Sequence, residues 1–201
     1  SSFSDHLLKH SKANVDGLLA ERKLGSDSLV IELASNDGYL LKNYVEQGIP
    51  VLGIDPAEGP AREAEKVGVS TLIDFFSKAL SIRLTAEGKQ ADIIHANNVL
   101  AHVADLNDFV AGIKTLLKEE GVAVIEVPYV VDLVDHCEFD TMYHEHLCYF
   151  SVTALDHLFT QHDLSLNRVV RLSIHGGSLR LFVEKRINVE PSVIELLQLE
   201  K

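Results

Sequence analysis

The chain has 201 residues, 46% of them hydrophobic and 24% charged, and carries a formal net charge of -12. That length fits one α/β domain with an added element, and the composition is that of a globular core, not a disordered chain. Such acidity argues against a nucleic-acid partner held by a broad basic surface.

In chain order, Ser4 to about Lys23 reads as a helix, with Leu7, Leu8, Val15, Leu18 and Leu19 on one side and Gly25 ending it. Residues 1–25 are expected to be a linker helix packed against the core. Ser28 to Ala34 is a near-continuous apolar run, the pattern of a strand covered on both faces of a parallel sheet. Helical spacing at Leu40, Leu41, Tyr44 and Val45 is followed by a strand at Val51–Ile54 and a helix over Gly59–Val67. A strand over Val69–Ile73, a helix over Ser77–Glu87 and a strand over Ala91–Ala96 come next. Asp105 is placed to cap a helix carrying Leu106, Phe109, Val110, Ile113, Leu116 and Leu117, and a fifth strand covers Gly121–Val127. This alternation predicts a mostly parallel, doubly wound sheet.

Beyond it, a helix at Ser151–His162 precedes two β runs, Leu164–Ile174 and Ser178–Lys185. Gly176-Gly177 between them predicts a hairpin, so an antiparallel strand is expected at the sheet edge. The domain is expected to occupy 26–187, and 188–201 to begin a C-terminal helix or linker at Pro191. The apolar run from Gly121 to Val134 is broken by Glu126, Pro128 and Asp132 and is too short to span a bilayer. The first residues show neither the basic nor the apolar region of a signal peptide, and Cys137 and Cys148 form no Cys-x-x-Cys pair. A cytoplasmic protein with no membrane contact and no metal site is expected.

Residues 138–151 read Glu-Phe-Asp-Thr-Met-Tyr-His-Glu-His-Leu-Cys-Tyr-Phe-Ser. Tyr143, His144, Glu145 and His146 place a phenol, two imidazoles and a carboxylate in succession, most of the general acid and base repertoire. Phe139, Met142, Leu147, Tyr149 and Phe150 flank them and are expected to bury the cluster, which would shift its pKa values. By residue type, His144 and His146 are equal candidates for a base.

In an open α/β sheet, ligands bind outside the carboxyl ends of the strands. The first such end, Glu32-Leu33-Ala34-Ser35-Asn36-Asp37-Gly38, keeps only the last glycine of a Glu-x-Gly-x-Gly-x-Gly loop. Losing the others weakens a pyrophosphate cradle and suits S-adenosylmethionine, which has no pyrophosphate. Asp55, 17 residues past Gly38, is placed to accept both hydroxyls of a ribose. Asn97-Asn98 would meet the cofactor's amino-acid part or the substrate, Phe76 would stack on adenine or pack in the core, and Glu126 would act behind them.

Five segments now stand in order: Glu-Leu-Ala-Ser-Asn-Asp-Gly-Tyr-Leu-Leu, Gly-Ile-Asp-Pro-Ala, Asn-Asn-Val-Leu-Ala-His-Val, Phe-Asp-Thr-Met-Tyr-His-Glu-His-Leu-Cys-Tyr-Phe-Ser and Gly-Gly-Ser-Leu-Arg. Together they resemble the nucleotide-sugar C-methyltransferases of deoxysugar pathways, over essentially the whole chain. The resemblance implies a Rossmann-like class I S-adenosylmethionine-dependent methyltransferase domain, set in that family between an N-terminal zinc-binding domain and a C-terminal domain. This chain would then be the central piece of a longer protein. The implied reaction is methyl transfer to a ring carbon beside the ketone of a nucleotide-linked 4-keto deoxysugar, through an enolate. The implied base is His146, with Tyr143 and Glu145 as catalytic neighbours and His102 at the sugar or its ketone oxygen. Glu32, Ser35, Asn36, Asp37, Gly38, Asp55, Pro56, Phe76, Asn97 and Asn98 are implied around S-adenosylmethionine. From spacing alone His102 equally suits a helix cap, and a plain hairpin accounts for Gly176-Gly177 better than a phosphate site with Ser178 and Arg180 does. The competing readings are an O- or N-methyltransferase on another small molecule, a NAD-dependent oxidoreductase, which the missing glycines disfavour, and a non-catalytic cofactor-binding domain.

Overall fold

The computed structural model describes residues 4–138 and 141–201. Helix α1 (Asp5–Glu21) starts where the Ser4 hydroxyl accepts from the Leu7 N–H at 3.3 Å. Five strands then pair in parallel: β1 (Val30–Leu33), β2 (Val51–Ile54), β3 (Thr71–Leu72), β4 (Ala91–Asn97) and β5 (Leu117–Pro128). Helices α2 (Lys42–Val45), α3 (Glu58–Lys66), α4 (Lys78–Ala86) and α5 (Leu106–Leu116) connect them. Asp105 caps α5, its carboxylate accepting from the Asp108 N–H at 3.0 Å. After β5 come α6 (Val130–Asp135), α7 (Val152–Gln161), β6 (Ser165–Leu172), β7 (Ser178–Glu184) and α8 (Pro191–Leu199).

The seven strands form one sheet in the order β3-β2-β1-β4-β5-β7-β6. β7 is antiparallel to both of its neighbours, so the expected hairpin closes one side of an otherwise parallel sheet. Alternate residues of the central strands feed two cores, as a period of two requires. Ile31, Leu33, Ile94, Ala96 and Ile125 pack with α4, α5 and α7 on one face. Val30, Ile93, Val122 and Val124 pack with α1 and α2 on the other. Burying one such aliphatic side chain stabilises by about 1.5–3 kcal/mol, which is why both faces are covered.

Two local features differ from expectation. β5 begins at Leu117 instead of Gly121: Leu117 pairs with Ala91, and a bulge takes up the polar residues before Val122 pairs with Ile93. The last apolar residue of the helical repeat is thus also the first of the strand. The β-branched stretch after Pro128 forms α6, a helix that the strand-like composition concealed. Among the described residues no helix is long and apolar enough to cross a membrane.

Candidate active site

The tip of β1 keeps the backbone of a glycine-rich loop without its glycines. Ala34, Asn36 and Gly38 have φ of +57°, +52° and +73°, and Asn98, at the tip of β4, has φ +53°. Holding a non-glycine residue there costs about 1–3 kcal/mol, so something must secure it. Asp55, buried at the end of β2, does so. One carboxylate oxygen accepts from the Asn36 N–H and the other from the Ala57 N–H, each at 2.9 Å. The Asn36 side chain adds a bond from the Asp37 N–H at 2.9 Å. Ser35 is wholly buried behind the loop, in space that Gly53 leaves open; a Cβ on Gly53 would collide with its hydroxyl. Gly38 lies against Val69 and Ala64, where a Cβ would sit 3.1–3.2 Å from their side chains. The loop is therefore shaped from behind by residues that do not themselves line a cavity.

A tier of polar side chains crosses the sheet just below these tips. Asn97, Glu126 and Arg180 are register partners on β4, β5 and β7. The buried Glu126 carboxylate accepts from Arg180 Nε at 2.7 Å and lies 2.9 Å from His10 Nε2 on α1. Burial pushes the Glu126 carboxyl up, but the His10 hydrogen bond and the Arg180 charge outweigh it and hold it below the usual carboxylate range. One strand position deeper, Glu32 pairs in register with His95. Burial first, then the charges of Asp37 and Asp55, keep the Glu32 carboxyl well above its ordinary value. Burial pulls His95 down to about 3, and its Nε2 lies 2.9 Å from the Tyr44 hydroxyl. At neutral pH His95 is therefore uncharged, and burial favours the protonated form of Glu32 beside it. Glu32 Oε2 and Asn97 Oδ1 have no hydrogen-bond partner among the described residues.

The segment that carries the proton-handling side chains is fastened at both ends. The Val130 N–H donates to Phe150 O at 3.0 Å, and the Leu147 N–H donates to Ala101 O at 2.8 Å. Between these anchors the His146 N–H donates to Tyr143 O at 3.0 Å, closing a four-residue turn. In such a turn the first and fourth residues converge while the middle two face outward. The Tyr143 hydroxyl accordingly lies 2.9 Å from His146 Nε2, whereas the His144 and Glu145 side chains are 91% and 62% exposed. Glu145, expected beside the base, is turned away from it. His146 Nδ1 is 3.1 Å from Thr141 O. A carbonyl can only accept, so Nδ1 carries the proton and Nε2 is the acceptor facing Tyr143. His102, on the 3₁₀ turn Leu100–His102, meets His146 edge-on at 5.0 Å between ring centroids.

The expected burial of this cluster is not realised: Met142, Tyr143 and Leu147 are exposed. Of the flanking apolar side chains Phe150 does enter the core, while the turn itself leaves its own apolar side chains outside. Phe139 lies outside the described residues.

One cleft of about 910 Å³ joins the two regions. Ala34, Asn36, Tyr39, Asn97 and Asn98 line one end; His102, Glu138, Thr141, Tyr143 and His146 line the other. Of the site residues read from sequence, Asn36, Asn97, Asn98, His102, Tyr143 and His146 reach the cleft. Glu32, Ser35, Asp37, Gly38, Asp55 and Pro56 stand behind or beside its wall. Phe76 turns inward, edge-on to Phe109 at 5.1 Å, while its neighbour Phe75 is 76% exposed. Ser178 donates to Ile174 O at 3.1 Å and Arg180 is committed to Glu126, so both are engaged within the protein and not set out for a phosphate. Leu7, Tyr39, His136 and Glu138 line the cleft without having been singled out. Leu7 arrives through α1, over a separation no local pattern reports.

Over residues 7–169 the chain matches the methyltransferase domain family. It belongs to that family. The methyltransferase domain is 31% identical over 204 residues to C-methyltransferase NovU of Streptomyces niveus, which it covers for 49% of that protein's length. It thus spans about half of the curated relative that it matches. Its fold is similar to magnesium protoporphyrin IX methyltransferase of Synechocystis with bound SAH, with TM-score 0.67 and 15% identity over 89% of this chain and 83% of that one. It is also similar to an S-adenosylmethionine-dependent methyltransferase of Clostridium acetobutylicum, with TM-score 0.69 and 12% identity over 91% and 93% of the two chains.

S-adenosylmethionine is the cofactor of this fold, and the strand tips of the methyltransferase domain suit it. The positive-φ residues Ala34 and Asn36 line the cleft, Asp55 stands at the end of β2, and the unpartnered Asn97 oxygen belongs to a residue at the same end of the cleft. The residues that line that end, Ala34, Asn36, Tyr39, Asn97 and Asn98, include no Lys or Arg, which accords with a cofactor that has no phosphate.

Proposed function

We propose that the domain catalyses C-methylation of a ring carbon beside the ketone of a nucleotide-linked 4-keto deoxysugar. The observation that carries this reading is the setting of the His146 ring, with Nδ1 3.1 Å from Thr141 O and Nε2 2.9 Å from the Tyr143 hydroxyl. The likeness to a protein named C-methyltransferase supports it. Oxygen and nitrogen nucleophiles carry lone pairs, but carbon must first lose a proton, and a neutral imidazole at the cleft is the group that such a reaction needs.

In this reading Asn36, Asn97 and Asn98 hold S-adenosylmethionine, which when bound supplies an electrophilic methyl group, and Asp55 fixes the Asn36 loop from behind. His146 Nε2 takes the proton from the carbon next to the ketone, directly or by way of the Tyr143 hydroxyl. The C–H electron pair moves to the ketone oxygen, leaving an enolate and an imidazolium. Once Nε2 is protonated it donates to the Tyr143 oxygen, and the phenolic O–H is free to donate to the enolate. The His102 ring, edge-on to His146, is the second candidate donor to that oxygen.

The test uses the full-length protein with thymidine diphosphate 4-keto-6-deoxyglucose and S-adenosylmethionine in D₂O. The expected result is a new carbon-bound methyl in the product, and exchange of the α-proton when the methyl donor is omitted. A methyl on oxygen or nitrogen, with no α-exchange, would overturn the reading.

A further inference from the structure

The cleft contains a carboxylate that the chemistry above does not use. Glu138 lines its substrate end and is 22% exposed at the side chain. Its backbone is fixed: the N–H donates to Leu133 O at 3.0 Å, and its carbonyl accepts from the Thr141 hydroxyl at 2.9 Å. Thr141 O in turn holds His146 Nδ1, so Glu138 and the imidazole are braced through one residue. The carboxylate rests against Gly176, φ +77°, where any Cβ would collide with it. Yet it accepts no hydrogen bond from a described residue. The nearest cationic candidate is His136 Nδ1, at 3.8 Å and 59% exposed.

The Glu138 carboxylate, partly open to the cleft and accepting no hydrogen bond from a described residue, keeps its acceptor sites available to a bound ligand. It repels phosphate and attracts donors. Resting on the reading above, we propose that Glu138 is a specificity-determining residue, whose carboxylate accepts a hydrogen bond from a hydroxyl or ammonium group on the substrate ring. The ring, not the diphosphate, then occupies this end of the cleft. Gly176 belongs to the same device, because a side chain there would displace the carboxylate.

The experiment compares full-length wild type, Glu138→Gln and Glu138→Leu on thymidine diphosphate 4-keto-6-deoxyglucose and on its 2,3-dideoxy counterpart. Gln keeps one acceptor and the shape, so KM should rise by about three- to tenfold with kcat little changed; Leu keeps neither, and kcat/KM should fall by about tenfold or more. On the dideoxy sugar the Leu variant and wild type should agree within about twofold. Affinity for S-adenosylhomocysteine, read by calorimetry, should be unchanged in both variants, which a merely structural residue would not ensure. Equal kcat/KM for wild type and Glu138→Leu on the hydroxylated sugar, or an equal loss on both sugars, would overturn the assignment. If wild type binds S-adenosylhomocysteine but methylates neither sugar, the sugar reading itself has failed and the role of Glu138 falls with it.

Discussion

His10 Nε2 lies 2.9 Å from Glu126 Oε2 across 116 residues of sequence. This contact ties α1 to the carboxyl end of β5, and it brings Leu7, one turn earlier on the same helix, to the cleft wall. His10→Ala is expected to lower stability by about 1–3 kcal/mol, because a buried carboxylate loses one of its two donors. It should also weaken S-adenosylhomocysteine binding several-fold by loosening Leu7. Urea denaturation and calorimetric titration read the two effects, and unchanged values in both would show that α1 is held by its apolar face alone.

Ala34 pays for its left-handed conformation, so Ala34→Gly should stabilise the domain by about 0.5–1 kcal/mol, net of the greater freedom of glycine when unfolded. Asn36→Ala should do the opposite, by about 1–2 kcal/mol, since it keeps the strain and removes the bond from the Asp37 N–H. Thermal unfolding of the two variants should move in opposite directions from wild type. A drop for Ala34→Gly would mean that the backbone at this tip is not strained.

His146→Ala is expected to reduce turnover by more than about tenfold and to leave S-adenosylhomocysteine binding intact. His144→Ala, a change at the outer corner of the turn, should stay within about twofold of wild type. Tyr143→Phe separates the roles further: it leaves the base in place but removes a donor, and about 10²-fold is the loss typical of such a group. Steady-state kinetics on the same sugar reads all three.

Glu200 closes the far side of the domain. Its carboxylate accepts from the Tyr129 hydroxyl at 2.9 Å and from the N–H groups of Val152 and Thr153, each at 2.7 Å, capping α7 from the end of α8. Burial raises its pKa, but the hydrogen bonds from Thr153, Val152 and Tyr129 outweigh burial and hold it low. A depressed carboxylate stabilises above its unfolded value, about 4.3, and that contribution disappears as pH falls through the folded value. Glu200→Ala should therefore cost about 1–3 kcal/mol at pH 7 and less at pH 3. Urea midpoints at the two pH values check the sign; a gap that widened in acid would be incompatible with it.

Much of the architecture was legible because it rests on local regularities. The apolar runs of β1 and β4 and the clean helical period of α5 with its Asp105 cap each announce one element. Asp55 was legible as a strand-tip acid, although its carboxylate also pins the Asn36 loop, which no spacing rule states. Glu145 shows the limit in the other direction. It is bonded to His146 in the chain, yet the Tyr143–His146 turn sends it outward, because neighbours in sequence are not neighbours across a turn. Gly53 and Leu7 were missed for a different reason: their importance lies in what meets them from elsewhere, Ser35 in one case and the open cleft in the other.

The place of β7 in the sheet bears on how the molecule is made. Residues 178–184 slot between β5 and β6, both of which precede them in the chain. A nascent polypeptide that has left the ribosome only as far as β6 therefore carries an unpaired edge along Val122 to Val127, with Glu126 still lacking Arg180. Open edges of that kind recruit other strands, so this interval is when the chain is most exposed to mispairing. Until the hairpin closes, Glu126 has only His10, on the already synthesised α1, to offset its charge.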